Sequence, residues 1–441
     1  MSESGNSISE EAEAKFSAEE LFGLGVERLL SAYSARQKEI LRLAQYAEDR
    51  SAEIDNAKQR AHEFITQQVG EVDEDALSHF LHLMTLVDKA GQEQADDDLT
   101  AAENREAAFA AVREASKKLP EGLHSTYLQG VVKATASPPA VGLLRSSLLV
   151  ALVGELEMMV NQLARQCFEL RPEKLNEVGK SFVWKDISSY ETIAEIRDAV
   201  VDYTVEDALR GSLTDWIEYF RKRFSIGPIG PAETFQAQEI IQRRHCIVHN
   251  AGYVSPQYRS KLSQFDLSAD EDEELEVSAS YLADAADTLF LVGYSLAWSL
   301  GFKLAQEANA RQILASSLTN RVYYLLQEGR LELVKMIGAK SPFSMLDEES
   351  AFIFQVNVWL AYKNSGDFSK VKHEVEQLEV ASKSRKYNLA KLALLDHDKE
   401  AYELANQMIR DDKLRPEFLY TWPLLSGARQ YGIKIAESES A

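Results

Sequence analysis

An all-α fold is predicted by three features of this chain. Apolar residues recur at three- and four-residue spacing over long stretches, alternating strand-like runs are scarce, and only 10 prolines interrupt 441 residues. Apolar side chains make up 45% of the sequence and charged ones 27%, the balance of a folded protein rather than a disordered one. The length implies about two to four domains.

Residues 1–118 read as an acidic N-terminal region of about two or three long helices. In its first helix Leu21, Leu24, Val26, Leu29 and Leu30 form one stripe. The stretch "DEDALSHFLHLMTLVDKA" opens with an acidic first turn and carries Leu77, Phe80, Leu81, Met84 and Leu86. "GQEQADDDLT" is a solvated break, after which "AAENREAAFAAVREASKKL" resumes a helix. His62, His79 and His82 lie in these helices without clustered carboxylates or thiols and read as packing or surface residues. "PEGLHSTYLQGVVKATASPPAVG" is rich in helix breakers and reads as a linker.

Residues 140–305 read as a bundle of about four or five helices. "LLRSSLLVALVGELEMMVNQLARQCFELR" is apolar around most of its circumference, as a central helix is, yet it carries Glu157 in its middle. A carboxylate there needs a partner or a cleft. "SIGPIGPAE" is a loop leading into a helix, with Pro231 and Glu233 suited to the first turn. "DLSADEDEELE" is an acidic loop, and "SASYLADAADTLFLVGYSLAWSLGFKL" is the closing helix. From residue 309 to 441, three segments each place a turn between an aromatic- or leucine-bearing helix and an amphipathic one. Their turns, at Gly329, Gly366 and Asp396, are 37 and 30 residues apart. That spacing is similar to tetratricopeptide-type helical hairpins, whose period is about 34 residues, although several small packing residues are replaced.

Two cysteines, Cys167 and Cys246, make no disulfide framework or Cys-rich zinc motif. The N-terminus lacks a basic segment followed by an apolar core, so no signal peptide is expected. "SLLVALVGELEMMV" is cut by Glu155 and Glu157 and too short to span a bilayer; the expectation is a cytoplasmic chain with no membrane partner. No phosphate-binding or dinucleotide-binding loop and no serine-hydrolase elbow is present, so no cofactor is expected.

A net charge of −22 argues against a general nucleic-acid coat protein. The distribution is uneven: residues 1–100 hold 22 acidic and 9 basic side chains, whereas residues 221–261 hold 7 basic and 2 acidic ones. Within that basic island lies "IIQRRHCIVHNAG", in which Gly252 marks a helix end. His245 and His249 share a face, while Arg244 and His249 are about 140° apart around an ideal helix. One helix does not aim both at one atom, but two copies facing each other can combine an arginine from one with a histidine from the other. Three readings are open. Arg244 and His249 can satisfy carbonyls at the helix end. His245 and His249 can be an i, i+4 metal pair, though the glutamate of HExxH and a third ligand are missing. Or a histidine moves a proton while an arginine stabilises charge on a phosphodiester.

With its flanks, "RRHCIVHNAG" resembles the Arg-x4-His signature of HEPN-superfamily ribonucleases. Arg244 is the arginine, His245 the polar residue after it and His249 the histidine, with Asn250 following. "LLVALVGELEMMVNQL" is similar to the family's early helix, whose mid-helix acidic residue matches Glu157 first and Glu155 second. The resemblance covers residues 140–305. It implies metal-independent endoribonuclease activity at a dimer interface, in which the ribose 2′-hydroxyl attacks the adjacent phosphate and leaves a 2′,3′-cyclic phosphate. It further implies that His249 is the general base or acid and that Arg244 holds the phosphate. His245 and Asn250 would orient the phosphate or the other histidine, Glu157 would position Arg244 or His245, and Arg243, Arg221, Lys222 and Arg223 would guide the RNA backbone. Implied partners are RNA, transfer RNA included, a second copy or higher homo-oligomer, and a protein regulator or trigger of the phage-defence or toxin–antitoxin kind. The competing expectation is a non-catalytic helical scaffold that dimerises through the bundle and binds a protein partner through its C-terminal repeats.

Overall fold

The computed structural model describes residues 16–93, 119–136, 138–177, 183–265, 273–341, 343–380 and 383–440, with the isolated positions 110, 113 and 117. The fold is all-α: among the described residues the only β pairing is an isolated bridge between Tyr253 and Glu274. The helix expected over 101–119 and the acidic loop of 266–276 fall largely outside the described residues. The chain divides into two compact units, one of Glu39–Leu149 and Glu276–Leu282, the other of Met1–Lys38, Val150–Leu275 and Ala283–Ala441.

The smaller unit is built on the helices Ala57–Val69, Glu74–Glu93 and His124–Ala136. Asn56 caps the first through the Gln59 amide at 3.0 Å, and Asp73 caps the second through the Ala76 amide at 2.9 Å. Ile65, Leu77, Phe80, Tyr127, Val131 and Ala134 make the core. The segment expected as a linker is thus a packed helix. Gly130, which resembles a breaker, is there because of close approach: a Cβ on it would stand 2.9 Å from Ile65 and 3.1 Å from Phe64. Tyr127 is buried and its hydroxyl accepts the Asp73 amide at 2.7 Å. His62 and His79 are half-buried and bond within or between neighbouring helices, and His82 is exposed.

In the larger unit Val26, Leu29 and Leu30 of the expected stripe are buried, Leu24 is half-buried, and Phe22 rather than Leu21 is buried at its start. Tyr33 is buried as well, and Leu21 is exposed. The central helix Ala140–Leu170 enters this unit at Val150, and the closing helix Ala279–Leu304 enters at Ala283. Tyr33 stacks on Phe290 with ring centroids 5.7 Å apart. Glu19 ties three elements together: it accepts the backbone amides of Gln306 (2.6 Å) and Glu307 (2.8 Å) and the guanidinium of Arg171 (2.6 Å). It thereby satisfies the start of the helix Ala308–Gln327, which has no side-chain cap of its own. The closing helix is the one described helix apolar and long enough to cross a membrane by composition, and 78% of its most apolar window is buried inside the protein.

The C-terminal part consists of helical hairpins: Ala308–Gln327 with Leu331–Lys340, Glu348–Asn364 with the short Lys372–Glu376, and Arg385–Leu394 with Asp398–Arg410. Their turns sit at Gly329, Gly366 and Asp396, each in the left-handed region with φ of 75°, 82° and 59°. A lysine from one hairpin closes the turn of the next. Lys335 donates to Asp367 (2.8 Å) and Ser365 (3.1 Å), and Lys363 donates to the carbonyls of Ala393 and Leu394, both at 2.8 Å. Lys335 and Lys370 hold the Asp367 carboxyl down at about 2.

Candidate active site

The helix that carries the motif runs Phe235–His249. Its start is set by Thr234, whose hydroxyl accepts the Ala237 amide at 3.3 Å. Pro231 and Glu233 lie in a 3-10 turn, Gly230–Glu233, just before it, and not in the helix's own first turn as expected. The end is fixed by one carbonyl: Cys246 O accepts from the amides of both Asn250 (2.7 Å) and Gly252 (3.1 Å). Ala251 and Gly252 turn left-handed to allow it, with φ of 51° and 88°. Cys246 is buried with Val254, Tyr258, Leu262 and Leu275. Packing of that face leaves Val248, His249 and Asn250 exposed at the helix end, with Val248 49% exposed.

Arg244 reaches the central helix. Its Nη2 donates to Glu157 Oε1 at 2.9 Å, and the two side chains are 27% and 36% exposed. Its Nε is buried without a partner, so the guanidinium is only partly occupied. Glu155, the alternative acidic residue on that helix, pairs instead with Arg36 at 3.1 Å. Two residues, about 200° around the helix, therefore separate a carboxylate that meets the motif from one that does not.

His245 and His249 lie with ring centroids 4.6 Å apart and planes inclined by 49°. His245 is held below the ordinary imidazole value, first by burial, then by His249 and Arg244. It is therefore neutral at pH 7 and offers one donor and one acceptor. Among the described residues no group of three or more histidine, cysteine, aspartate or glutamate side chains is gathered as a metal site, so this pair has no third protein ligand.

The remaining motif and island residues have local partners. The Asn250 side chain donates to the carbonyls of Tyr253 (2.8 Å) and Val254 (3.4 Å), which holds the turn after the helix. Arg243 is 15% exposed and donates to Glu239 at 2.7 Å; the buried Tyr258 hydroxyl donates to the same oxygen at 2.8 Å. This network docks the helix Pro256–Leu262 and engages Arg243, the residue that the resemblance implied as an RNA contact. Arg221 and Lys222 both pair with Glu218, each at 3.1 Å, and Arg223 donates to the Lys174 carbonyl at 3.0 Å. Glu218 lies just before the stretch counted as basic, so the island is less positive than its bounds suggested. Lys222, 77% exposed, is the most available of these cations.

A groove of about 560 Å³ opens beside Glu157, with Asn161, Glu206 and Arg210 on its walls. Sequence reasoning passed over these three. Asn161 follows Glu157 by one helical turn and so shares its face, a signal that was present. Glu206 and Arg210 come from a different helix, Ile193–Leu209, and its C-terminal edge, and no local pattern links them to the motif.

Family models, curated proteins and solved structures were all compared with this chain, and none of them matches it.

Proposed function

We propose that the protein is a metal-independent endoribonuclease of the HEPN type, acting as a homodimer and held as a regulated effector of phage defence or a toxin–antitoxin-like system. The observation that carries the reading is the Arg244–Glu157 contact beside the His245–His249 pair, with the guanidinium incompletely partnered and His249 exposed. Glu157 orients Arg244, and the exposed part of that side chain binds the scissile phosphate as a charge-assisted contact. His249 exchanges a proton with the ribose 2′-hydroxyl or the leaving 5′-oxygen. His245, being neutral, keeps extra positive charge away from His249 and donates or accepts one hydrogen bond. Asn250 acts through the turn it holds rather than on the phosphate, and Lys222 follows the RNA backbone. Exposed Val248 and Tyr253 beside His249 give a second copy an apolar surface on which to seat.

The test is incubation of purified protein with a single-stranded RNA and a transfer RNA in excess chelator, followed by analysis of the product ends. The reading expects cleavage with 2′,3′-cyclic phosphate termini; intact RNA, or cleavage abolished by chelator, would refute it. The second reading, a non-catalytic scaffold, draws on the hairpin array and its large cavity. It expects a specific protein partner to be retained equally by wild type and His249→Ala, and no RNA cleavage by either.

A further inference from the structure

The C-terminal hairpins enclose a cavity of about 890 Å³ that the proposed cleavage chemistry does not use. Its walls are aromatic: Tyr323, Tyr324, Phe352, Tyr387, Phe418 and Trp422 all line it. Its polar residues are unusual. Asn357 lines the cavity, is 1% exposed, and has no hydrogen-bond partner for either Oδ1 or Nδ2. Thr319 lines the same cavity, is 4% exposed, and its hydroxyl is also unpartnered. Leaving a buried donor and acceptor unmade is costly, and an apolar residue of the same shape would avoid that cost. Two such residues at one cavity point to a partner that comes from outside the chain.

A carboxamide with both ends free is complementary to a group that presents a donor and an acceptor side by side. A peptide group and the edge of a nucleobase both qualify. The depth and the walls select the base. Asn357 is almost wholly enclosed, and Phe352 and Tyr387 stack on each other with centroids 3.6 Å apart, an aromatic wall against which a flat ring lies better than a peptide carrying side chains. The rim carries three cations, Arg415, Lys383 and Lys386, and two carboxylates, Glu348 and Glu349. Arg415 lines it with no ion pair to a carboxylate among the described residues, its guanidinium resting 4.7 Å over Phe418. Lys383 and Lys386 stand beside it, paired with the exposed Glu348 and Glu349. Surface pairs of this kind are weak and exchange readily for a phosphate.

We propose that this cavity is a nucleotide site, with the base against the aromatic walls, its hydrogen-bonding edge on Asn357 and Thr319, and the phosphate at Arg415, Lys383 and Lys386. The shared chemistry is a base bearing a phosphate, supplied either by a free mononucleotide or by the terminal nucleotide of a single-stranded RNA.

Calorimetry on the full chain tests this with AMP, CMP, GMP and UMP in one arm and a short single-stranded oligoribonucleotide in the other. The His249→Ala background prevents cleavage and lies outside the cavity, so binding is read independently of the ribonuclease proposal. Saturable binding of at least one probe is expected, weakened by about ten- to a hundredfold in Asn357→Leu. Because Asn357→Leu also removes an unpaired buried amide, it should raise the melting temperature of the ligand-free protein, so lost binding cannot be ascribed to unfolding. Arg415→Gln should weaken the monophosphate and leave the bare nucleoside unchanged. Binding confined to the oligonucleotide and sensitive to Asn357 assigns the RNA terminus as the source. No saturable binding of any probe, or binding that Asn357→Leu leaves unchanged, overturns the proposal. So does Asn357-dependent binding of N-acetyl-tryptophanamide in place of the nucleotides, which would put a peptide in the cavity.

Discussion

Arg330 and Arg244 each extend from the edge or body of one helix to a carboxylate on another, yet their surroundings differ in kind. Arg330 donates through Nε (2.8 Å) and Nη2 (2.5 Å) to Asp287, reaches Gln37 at 3.4 Å, and lies 5.3 Å over the Phe290 ring. The pair is 12% and 23% exposed. Arg244 makes one contact with Glu157, is more exposed, and keeps a buried Nε without a partner. The first arginine is saturated and serves the fold. The second is held by a single ion pair and stays partly exposed, which leaves it open to an external phosphate. The number of contacts and the exposure, rather than the residue type, separate the two.

Substitutions should break this comparison in graded ways. The largest effect is expected from Arg330→Ala, which strands Asp287 against the core and should cost about 3 kcal/mol of stability in chemical denaturation. Burial already holds the Asp287 carboxyl above the ordinary aspartate value, with Arg330 opposing. The folded chain therefore keeps that proton to higher pH than the unfolded chain. Over this window, rising pH lowers the stability contributed by this residue, and more so without Arg330.

Arg244→Ala should do the reverse. Its effect on stability should stay under about 1 kcal/mol, because the pair it breaks is partly exposed. Its effect on RNA cleavage should be on the order of a hundredfold, the cost of losing one charge-stabilising donor. Glu157→Gln keeps the shape and weakens the orienting contact, so a loss of about tenfold in cleavage rate is expected with the fold unchanged. The smallest effect belongs to His245. Its imidazole should titrate below the ordinary histidine range in an NMR pH series, and His249→Gln should move it part of the way back up. The sign for stability follows: the folded chain takes this proton at lower pH than the unfolded one, so acidification through that window disfavours the fold, and the loss is regained as pH rises to the ordinary imidazole value.

The all-α fold was legible because helical periodicity is local and repeated. So were the turns at Gly252, Gly329, Gly366 and Asp396, where a left-handed backbone restricts the residue types tolerated. The helix His124–Ala136 was missed because Gly130 reads as a breaker until the chain that packs against it is known. The body of the first stripe was legible, but its first residue was not, because Phe22 and Leu21 are adjacent and only packing decides which one is buried. At the site, the motif and its exposed end could be read from one segment. The Glu157–Arg244 contact spans 87 residues and was reached only through the family resemblance. The partners of Arg243 and Arg221 lie four and three residues away, so both pairings were readable, but Glu218 falls just outside the stretch over which the charges are counted. Asn357 carried no signal at all, since a buried asparagine is visible only once its neighbours fail to bond it.

The central claim is that Arg244 and His249 act together on a phosphodiester. Its most direct test is the rate of RNA cleavage in chelator by wild type, Arg244→Ala and His249→Ala, each at a temperature well below its own melting point. The account predicts that both variants fall by a hundredfold or more, on the order expected for loss of a transition-state contact, while remaining folded. Equal rates for all three proteins would contradict it.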